Sequence, residues 1–134
     1  MRHARTLPWK WGLFAAAWSL CILAGVAWLK GTVPERTSPL LATLSASEPF
    51  HVLAHSVLYG TLAASFLRLL RRPTIAVLST VLVGAVQEKL QVIFAGRGMG
   101  EPELFDLAVD CAAAMIAVLA CAWMDRRPVT DQAR

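Results

Sequence analysis

Hydrophobic residues fall into four long runs along the chain, and charged residues, glycines and prolines collect between them. The runs cover residues 12–29, 50–70, 74–94 and 104–124. Each is about 18–21 residues long, enough for an α-helix to cross ~30 Å of hydrocarbon at ~1.5 Å per residue. The strict alternation of a membrane β-strand is absent. The pattern predicts a single all-α domain, residues 1–134, built as a membrane bundle of four transmembrane helices.

Composition supports a membrane protein. Apolar residues make up 57% of the chain and charged residues only 16%, whereas a soluble domain has about a quarter of its residues charged. The net charge is +4, but no basic stripe with interleaved aromatic residues is present, so nucleic acid is not expected as a partner. The three cysteines, Cys21, Cys111 and Cys121, all lie in predicted spans without CxxC spacing and are expected to serve helix packing.

The basic residues predict the orientation. Nine of the thirteen fall on one side of the predicted spans: Arg2, Arg5, Lys10, Arg68, Arg71, Arg72, Arg126, Arg127 and Arg134. The positive-inside rule then places both termini in the cytoplasm, as in a multi-pass protein of the plasma (inner) membrane. A cleaved signal peptide at the first run is the alternative and would leave three spans, but the run is longer than usual for one.

Acidic residues have the opposite distribution. Seven of the nine fall on the outer side: Glu35, Glu48, Glu88, Glu101, Glu103, Asp106 and Asp110. The positive-inside rule does not count acids, so this asymmetry is independent information. It predicts that the outer side carries the functional groups.

Several polar side chains lie inside the predicted spans, where an ionisable group costs about 2.5–3.5 kcal/mol. They are His51, His55 and Tyr59 in the second run, Gln87, Glu88 and Gln91 in the third, and Asp106 and Asp110 in the fourth. The four-residue spacing puts His51, His55 and Tyr59 on one helix face. Partners or water have to offset the cost, so these groups are expected to meet.

Their depth is similar in three spans. His55, Glu88 and Asp110 each lie five or six residues from the outer end, or roughly 8–9 Å below the surface. Arg97, in a turn between two glycines, is the expected counter-ion. The sequence predicts a polar pocket open to the outer side. An ion-pair network that only fixes helix register is the structural alternative.

These residues also match the motif order of a known family. The matching elements are His55 with Tyr59, Glu88-Lys89-Leu90-Gln91, Gly96-Arg97 and Asp106-Leu107. In this order and spacing, the chain resembles the VanZ-like small membrane proteins, named for a glycopeptide (teicoplanin) resistance determinant. The resemblance runs from about residue 10 to 124. It implies a cell-envelope role and a contribution to antibiotic tolerance, without a settled reaction.

The chain departs from the family pattern at the site. An acidic-Lys pair usually precedes the first histidine, and His51-Val52 stands there instead. Asp110 occupies the position of an Asn, and Ala113 and Ala117 those of two glycines. The pocket is therefore expected to be more acidic than is usual in the family.

Three functions remain open on the sequence. The first is binding of an anionic envelope lipid or glycan precursor, or of a partner protein, by a chain surrounded by membrane lipids. The residues expected to bind the ligand are Arg97, Gln91, Asp110, Tyr59 and His51. The second is a membrane-embedded hydrolase or transferase with His55, Glu88 and Asp106 as catalytic residues, Asp106 orienting His55 or Arg97. The third is a zinc site at His51 and His55. No cofactor is expected, no metal is assigned, and the oligomeric state is left open.

Overall fold

The computed structural model describes residues 8–32, 47–94, 96 and 98–126. These residues form four α-helices: α1 (Pro8–Thr32), α2 (Glu48–Leu70), α3 (Pro73–Phe94) and α4 (Glu101–Asp125). The all-helical prediction is confirmed for this part of the chain. The largest difference from a predicted run is at the start of α1, expected at residue 12 and found at Pro8.

Proline marks the start of each of the four helices. Pro8 and Pro73 are the first residues of α1 and α3, and Pro49 and Pro102 lie in the first turns of α2 and α4. Proline is favoured there because its missing N–H would have no partner inside the helix and its φ angle is already helical. The short α2–α3 connection thus has a local cause, and it makes these two helices antiparallel neighbours.

Three helices, α2, α3 and α4, are long and apolar enough to cross a membrane. Their outward faces carry large apolar side chains that are more than half exposed, among them Leu53, Leu78, Leu82, Ile116 and Leu119. Such a surface suits lipid better than water, and it indicates a membrane protein. The use of α1 as a fourth span, the plasma membrane as the location and the cytoplasmic position of the termini stay predictions.

Contacts along the bundle define the helix directions. Helices α2 and α4 are parallel, because His51 contacts Asp106 near their starts and Arg68 contacts Asp125 near their ends. Helix α1 is antiparallel to α2, with the indole N–H of Trp18 donating to the carbonyl of Leu58 at 3.0 Å. The helices therefore run up, down, up and down. We call the two ends of the bundle the His51 end and the Arg68 end.

Small residues let α2 and α4 approach closely. A Cβ placed on Gly60 of α2 would lie 3.7 Å from the Cβ of Ala117 and 3.8 Å from the carbonyl oxygen of Ala113. Ala63 of α2 and Ala114 of α4 are fully buried in the same part of the core. Close approach of small residues is the common basis of helix packing in membranes, and here it brings the side chains of α2 within reach of those of α4.

The end of α2 yields a stability prediction. Arg71 caps the helix in the left-handed conformation (φ 55°), and its N–H donates to the Leu67 carbonyl at 2.8 Å. This conformation costs a residue with a Cβ about 1–2 kcal/mol, a cost that glycine avoids. Arg71→Gly is expected to raise the thermal unfolding midpoint measured in detergent.

The neighbouring arginine supplies the matched control. Arg72→Gly removes the same charge and adds the same backbone freedom, but Arg72 has no positive φ. It is therefore expected to leave the midpoint unchanged or to lower it. Equal midpoints for the two variants would contradict the assignment of strain to Arg71.

Candidate functional site

Three aromatic side chains line one face of α2 at the His51 end. The ring centroids of His51 and His55 are 4.5 Å apart, and those of His55 and Tyr59 are 5.7 Å apart. The four-residue spacing produces this column, because residues one helical turn apart project from the same face. The column faces α4 and α3.

Two carboxylates of α4 pair with the two histidines. The Nε2–H of His51 donates to Oδ1 of Asp106 at 3.0 Å, and the Nδ1–H of His55 donates to Oδ1 of Asp110 at 2.7 Å. The two histidines are four residues apart on α2, and the two aspartates are four residues apart on α4. Parallel helices in one register therefore form both pairs together. The result is a ladder of two His–Asp pairs.

The ladder runs from the accessible end of the bundle into its interior. The side chains of His51 and Asp106 are 42% and 14% exposed, whereas those of His55 and Asp110 are 8% and 0% exposed. Tyr59, one further turn down, is fully buried. The site is therefore a polar wedge that is open at the His51 end and closed below.

Helix α3 supplies the third side of the wedge. The hydroxyl of Tyr59 donates to Oε1 of Gln87. The side-chain amides of Gln87 and Gln91 both donate to Oε1 of Glu88, at 3.1 Å and 3.3 Å. Glu88 is only 1% exposed, so this carboxyl group is held inside the bundle by amide donors of its own helix.

One oxygen at the base of the wedge is less well satisfied. Oδ2 of Asp110 is buried and accepts no hydrogen bond from the described residues. It lies against the backbone of Gly84 on α3, where a Cβ would be 2.8 Å away. Glycine is thus required at position 84 for α3 to pass this close to the carboxylate. A buried acceptor with spare capacity is costly and is typical of a site rather than of a packed core.

The structure brings together the predicted site residues that it describes, but with one change of partners. Asp106, expected to orient His55 or Arg97, contacts His51, and Asp110 contacts His55. The reason is register: His55 lies one turn below His51 and therefore faces the α4 residue one turn below Asp106. Arg97 lies outside the described residues.

The segment beside Arg97 is partly described. Gly96 adopts the left-handed conformation (φ 63°), and its N–H donates to the carbonyl of Ile93 at 3.1 Å. It ends α3 with a turn. Glu103 accepts a hydrogen bond from the N–H of Gly100 at 2.8 Å, so this acid helps to fix the start of α4.

Sequence reasoning missed Gly84. Its position three residues before Gln87 and four before Glu88 places it on the same face of α3. A glycine on the polar face of an otherwise apolar helix is the signal that could have identified it. It indicates a close approach from a neighbouring helix, which here is the approach of Asp110.

No protein-family model, curated protein or solved structure matches this chain. The VanZ-like resemblance therefore stays a prediction. Conclusions about function depend on the geometry of the wedge and on the chemistry of its residues.

Position 84 provides a test of the wedge. Gly84→Ala places a methyl group against Asp110 and Tyr59, so we expect α3 to shift and the protein to lose about 1–3 kcal/mol of stability, as in other overpacked cores. The measurement is the unfolding midpoint in detergent.

Gly60→Ala is the control for position 84. Its Cβ would meet its neighbours at ordinary van der Waals distances of 3.7 Å and more. The gain in helix propensity, about 1 kcal/mol, predicts an unchanged or higher midpoint. Equal loss of stability in both variants would show that any methyl group added between these helices is destabilising. That result would contradict the specific requirement for glycine at position 84.

Proposed function

We propose that this chain is a cell-envelope membrane protein that binds the anionic polar part of an envelope lipid or glycan precursor in the wedge. The gradient of exposure from His51 and Asp106 down to His55 and Asp110 carries the proposal. A network that served only to fix helix register would need one buried pair. The second pair, partly exposed at the mouth, adds polar groups that a ligand can reach.

The surroundings of the wedge favour an amphiphile. Leu53 of α2 and Leu104 and Phe105 of α4 lie beside the His51 end with their side chains about half or more exposed. A lipid could lay its chain along such a surface while its polar group reaches the histidines and carboxylates. Removal of the chain from water supplies affinity, and the polar contacts supply specificity.

An anionic ligand needs a cation at this end of the bundle. Lys89 of α3 is exposed, but it lies on the helix face that also carries Val86. This face is not the buried polar face formed by Gln87, Glu88 and Gln91, so Lys89 is not the cation of the wedge in this proposal. Arg97, in the segment that follows α3, is our choice for the cation, since a guanidinium binds phosphate or carboxylate through two hydrogen bonds. The VanZ-like resemblance supports an envelope role and a contribution to antibiotic tolerance. In a variant of the same proposal, the bound group is an acidic segment of a partner protein instead of a lipid or glycan precursor.

Binding can be tested with a matched pair of lipids. Purified protein is titrated in detergent with a short-chain polyprenyl phosphate and with the corresponding neutral polyprenol. Tighter binding of the phosphate is expected, and Arg97→Ala is expected to weaken it by about 10-fold or more, since a hydrogen bond to a charged group contributes about 1.5–3 kcal/mol. Polyprenol binding should not change.

Arg126→Ala is the control, because Arg126 follows α4 at the Arg68 end. This variant should bind the phosphate as the wild type does. The proposal of an anion site fails if polyprenyl phosphate and polyprenol bind equally well, or if Arg97→Ala and Arg126→Ala have equal effects.

A second candidate, a membrane-embedded hydrolase or transferase, has one observation in its favour. The hydrogen bond from Nδ1 of His55 to the buried Asp110 fixes the ring and leaves Nε2 to accept a proton. In a hydrolase, a water would lose a proton to this nitrogen and attack the phosphorus or carbonyl centre. The bond from that centre to the leaving oxygen would break, and the leaving oxygen would take a proton from Glu88, the second acid–base group. A different acceptor in place of water would make the reaction a transfer.

Glu88→Gln separates catalysis from binding. The variant keeps the size of the side chain and an oxygen for the amides of Gln87 and Gln91, but it cannot accept a proton. With a polyprenyl diphosphate as substrate, the hydrolase predicts release of inorganic phosphate that falls about 100-fold or more in the variant, with binding largely retained. Wild-type protein that releases no phosphate would remove this candidate for that substrate class.

A further inference from the structure

We propose that the mouth of the wedge is a zinc site, in which His51, His55 and Asp106 bind one Zn²⁺. A ring nitrogen of each histidine and a carboxylate oxygen of Asp106 lie within 4.8 Å of one another. Two residues come from one face of α2, and the third comes from the adjacent turn of α4. The site therefore depends on the packing of two helices rather than on one local motif.

The donor set and its spacing fit zinc. Imidazole nitrogen and carboxylate oxygen are common zinc ligands, at bond lengths of about 2.0–2.2 Å. Tetrahedral geometry at these bond lengths places donors roughly 3.5 Å apart, so the three groups have to close by about 1 Å through side-chain rotation. The partly exposed side chain of His51 has room for that movement. Mg²⁺ and Ca²⁺ prefer oxygen ligands and do not suit two imidazoles.

A separate observation supports the assignment of His55. Its Nδ1–H is held by Asp110 at 2.7 Å, and Asp110 is completely buried. In metal sites, a carboxylate usually accepts the N–H of the ligating histidine, which fixes the ring and leaves the other nitrogen for the metal. Asp110 is then a positioning residue, and Nε2 of His55 is the donor atom.

Charge balance points the same way. Asp106 and Asp110 place two carboxyl groups one turn apart at the end of an apolar bundle, and the only described side chains hydrogen-bonded to them are histidines. A bound dication would offset both carboxylates in a region of low dielectric, where an unbalanced charge is costly.

The proposed site has three protein ligands, which leaves the fourth position of zinc for water or for an oxygen of an anion. The metal would thus add positive charge at the mouth of the wedge. This inference goes beyond the proposed function, because zinc binding needs only the three donor groups and no lipid. It can hold or fail independently of Arg97.

The test is a titration of the full-length chain with zinc chloride in detergent and without added lipid, after removal of metals with a chelator. Calorimetry is expected to show one Zn²⁺ per chain and no comparable binding of Mg²⁺. His51→Ala and Asp106→Asn should each weaken zinc binding at least 10-fold. Asp110→Asn should weaken it about 10- to 100-fold, the usual effect of losing a carboxylate that orients a ligand.

Control variants test whether the thiols or an acid away from the wedge contribute to zinc binding. Asp125→Asn changes an acid at the Arg68 end, and replacement of Cys21, Cys111 and Cys121 by alanine removes every thiol. Both variants should bind zinc as the wild type does, and so should Arg97→Ala, whose effect is expected on polyprenyl phosphate alone. If Arg97→Ala loses phosphate binding but keeps zinc, the two proposals hold separately.

Thermal unfolding gives a second readout. A ligand that binds only the folded state raises the unfolding midpoint, so zinc should stabilise the wild type and Asp125→Asn but not His51→Ala. Should His51→Ala fail to fold, Asp106→Asn, which keeps the size of the side chain, gives the same comparison. Zinc binding of equal strength in the wild type, His51→Ala and Asp106→Asn, or no saturable binding in the wild type, would overturn the proposal.

Discussion

The buried hydrogen bond between His55 and Asp110 is the constraint on which the arrangement of the bundle depends. Both side chains are buried in predominantly apolar helices, so each would be costly without a partner. Their 2.7 Å contact fixes the register of α2 against α4, two helices that the contacts at both ends of the bundle show to be parallel. The same register brings His51 to Asp106 one turn above. Gly84 completes the constraint, because only glycine lets α3 pass so close to the carboxylate.

The two ends of the bundle use charge in different ways. At the Arg68 end, Arg68 and Asp125 form an ion pair, and their side chains are 40% and 55% exposed. A surface pair of this kind contributes about 0–1 kcal/mol to the stability of the fold. At the His51 end, polar groups extend over about two helical turns, from His51 to the buried Tyr59. With several desolvated polar groups at one end, the bundle is less stable than it would be with an apolar core throughout. Desolvated polar groups concentrated in one place are characteristic of functional sites.

The departures from the VanZ-like pattern gain a physical meaning from these contacts. His51 stands in the segment where the family has an acidic-Lys pair, and it is the residue that turns a single His–Asp pair into a ladder. Where the VanZ-like pattern has an Asn, this chain has Asp110, which gives His55 a carboxyl group as its partner. Relative to that pattern, His51 stands in place of the acidic residue, Val52 in place of the lysine and Asp110 in place of the asparagine. The proposed ligand binding, proton transfer and zinc binding would each involve at least one of His51, His55 and Asp110.

Much of the architecture could be predicted from the sequence alone. Helix content, the places where helices begin and end, and the polar faces of α2, α3 and α4 follow from hydrophobic run length, proline positions and four-residue spacing, all of which are local properties. The polar residues His55, Glu88 and Asp110 could be assigned to one layer because depth in a helix is counted along the chain.

Tertiary structure decided which groups meet. The sequence predicts that Asp106 orients His55 or Arg97. In the bundle, His55 contacts Asp110 and Asp106 contacts His51, while Arg97 lies outside the described residues. It also gives Gly84 its role beside Asp110. These choices depend on the relative rotation and register of separate helices. Rotation and register are set by the packing of small residues such as Ala63 and Ala114 and by the need of every buried polar group for a partner. Neither can be counted along a single helix.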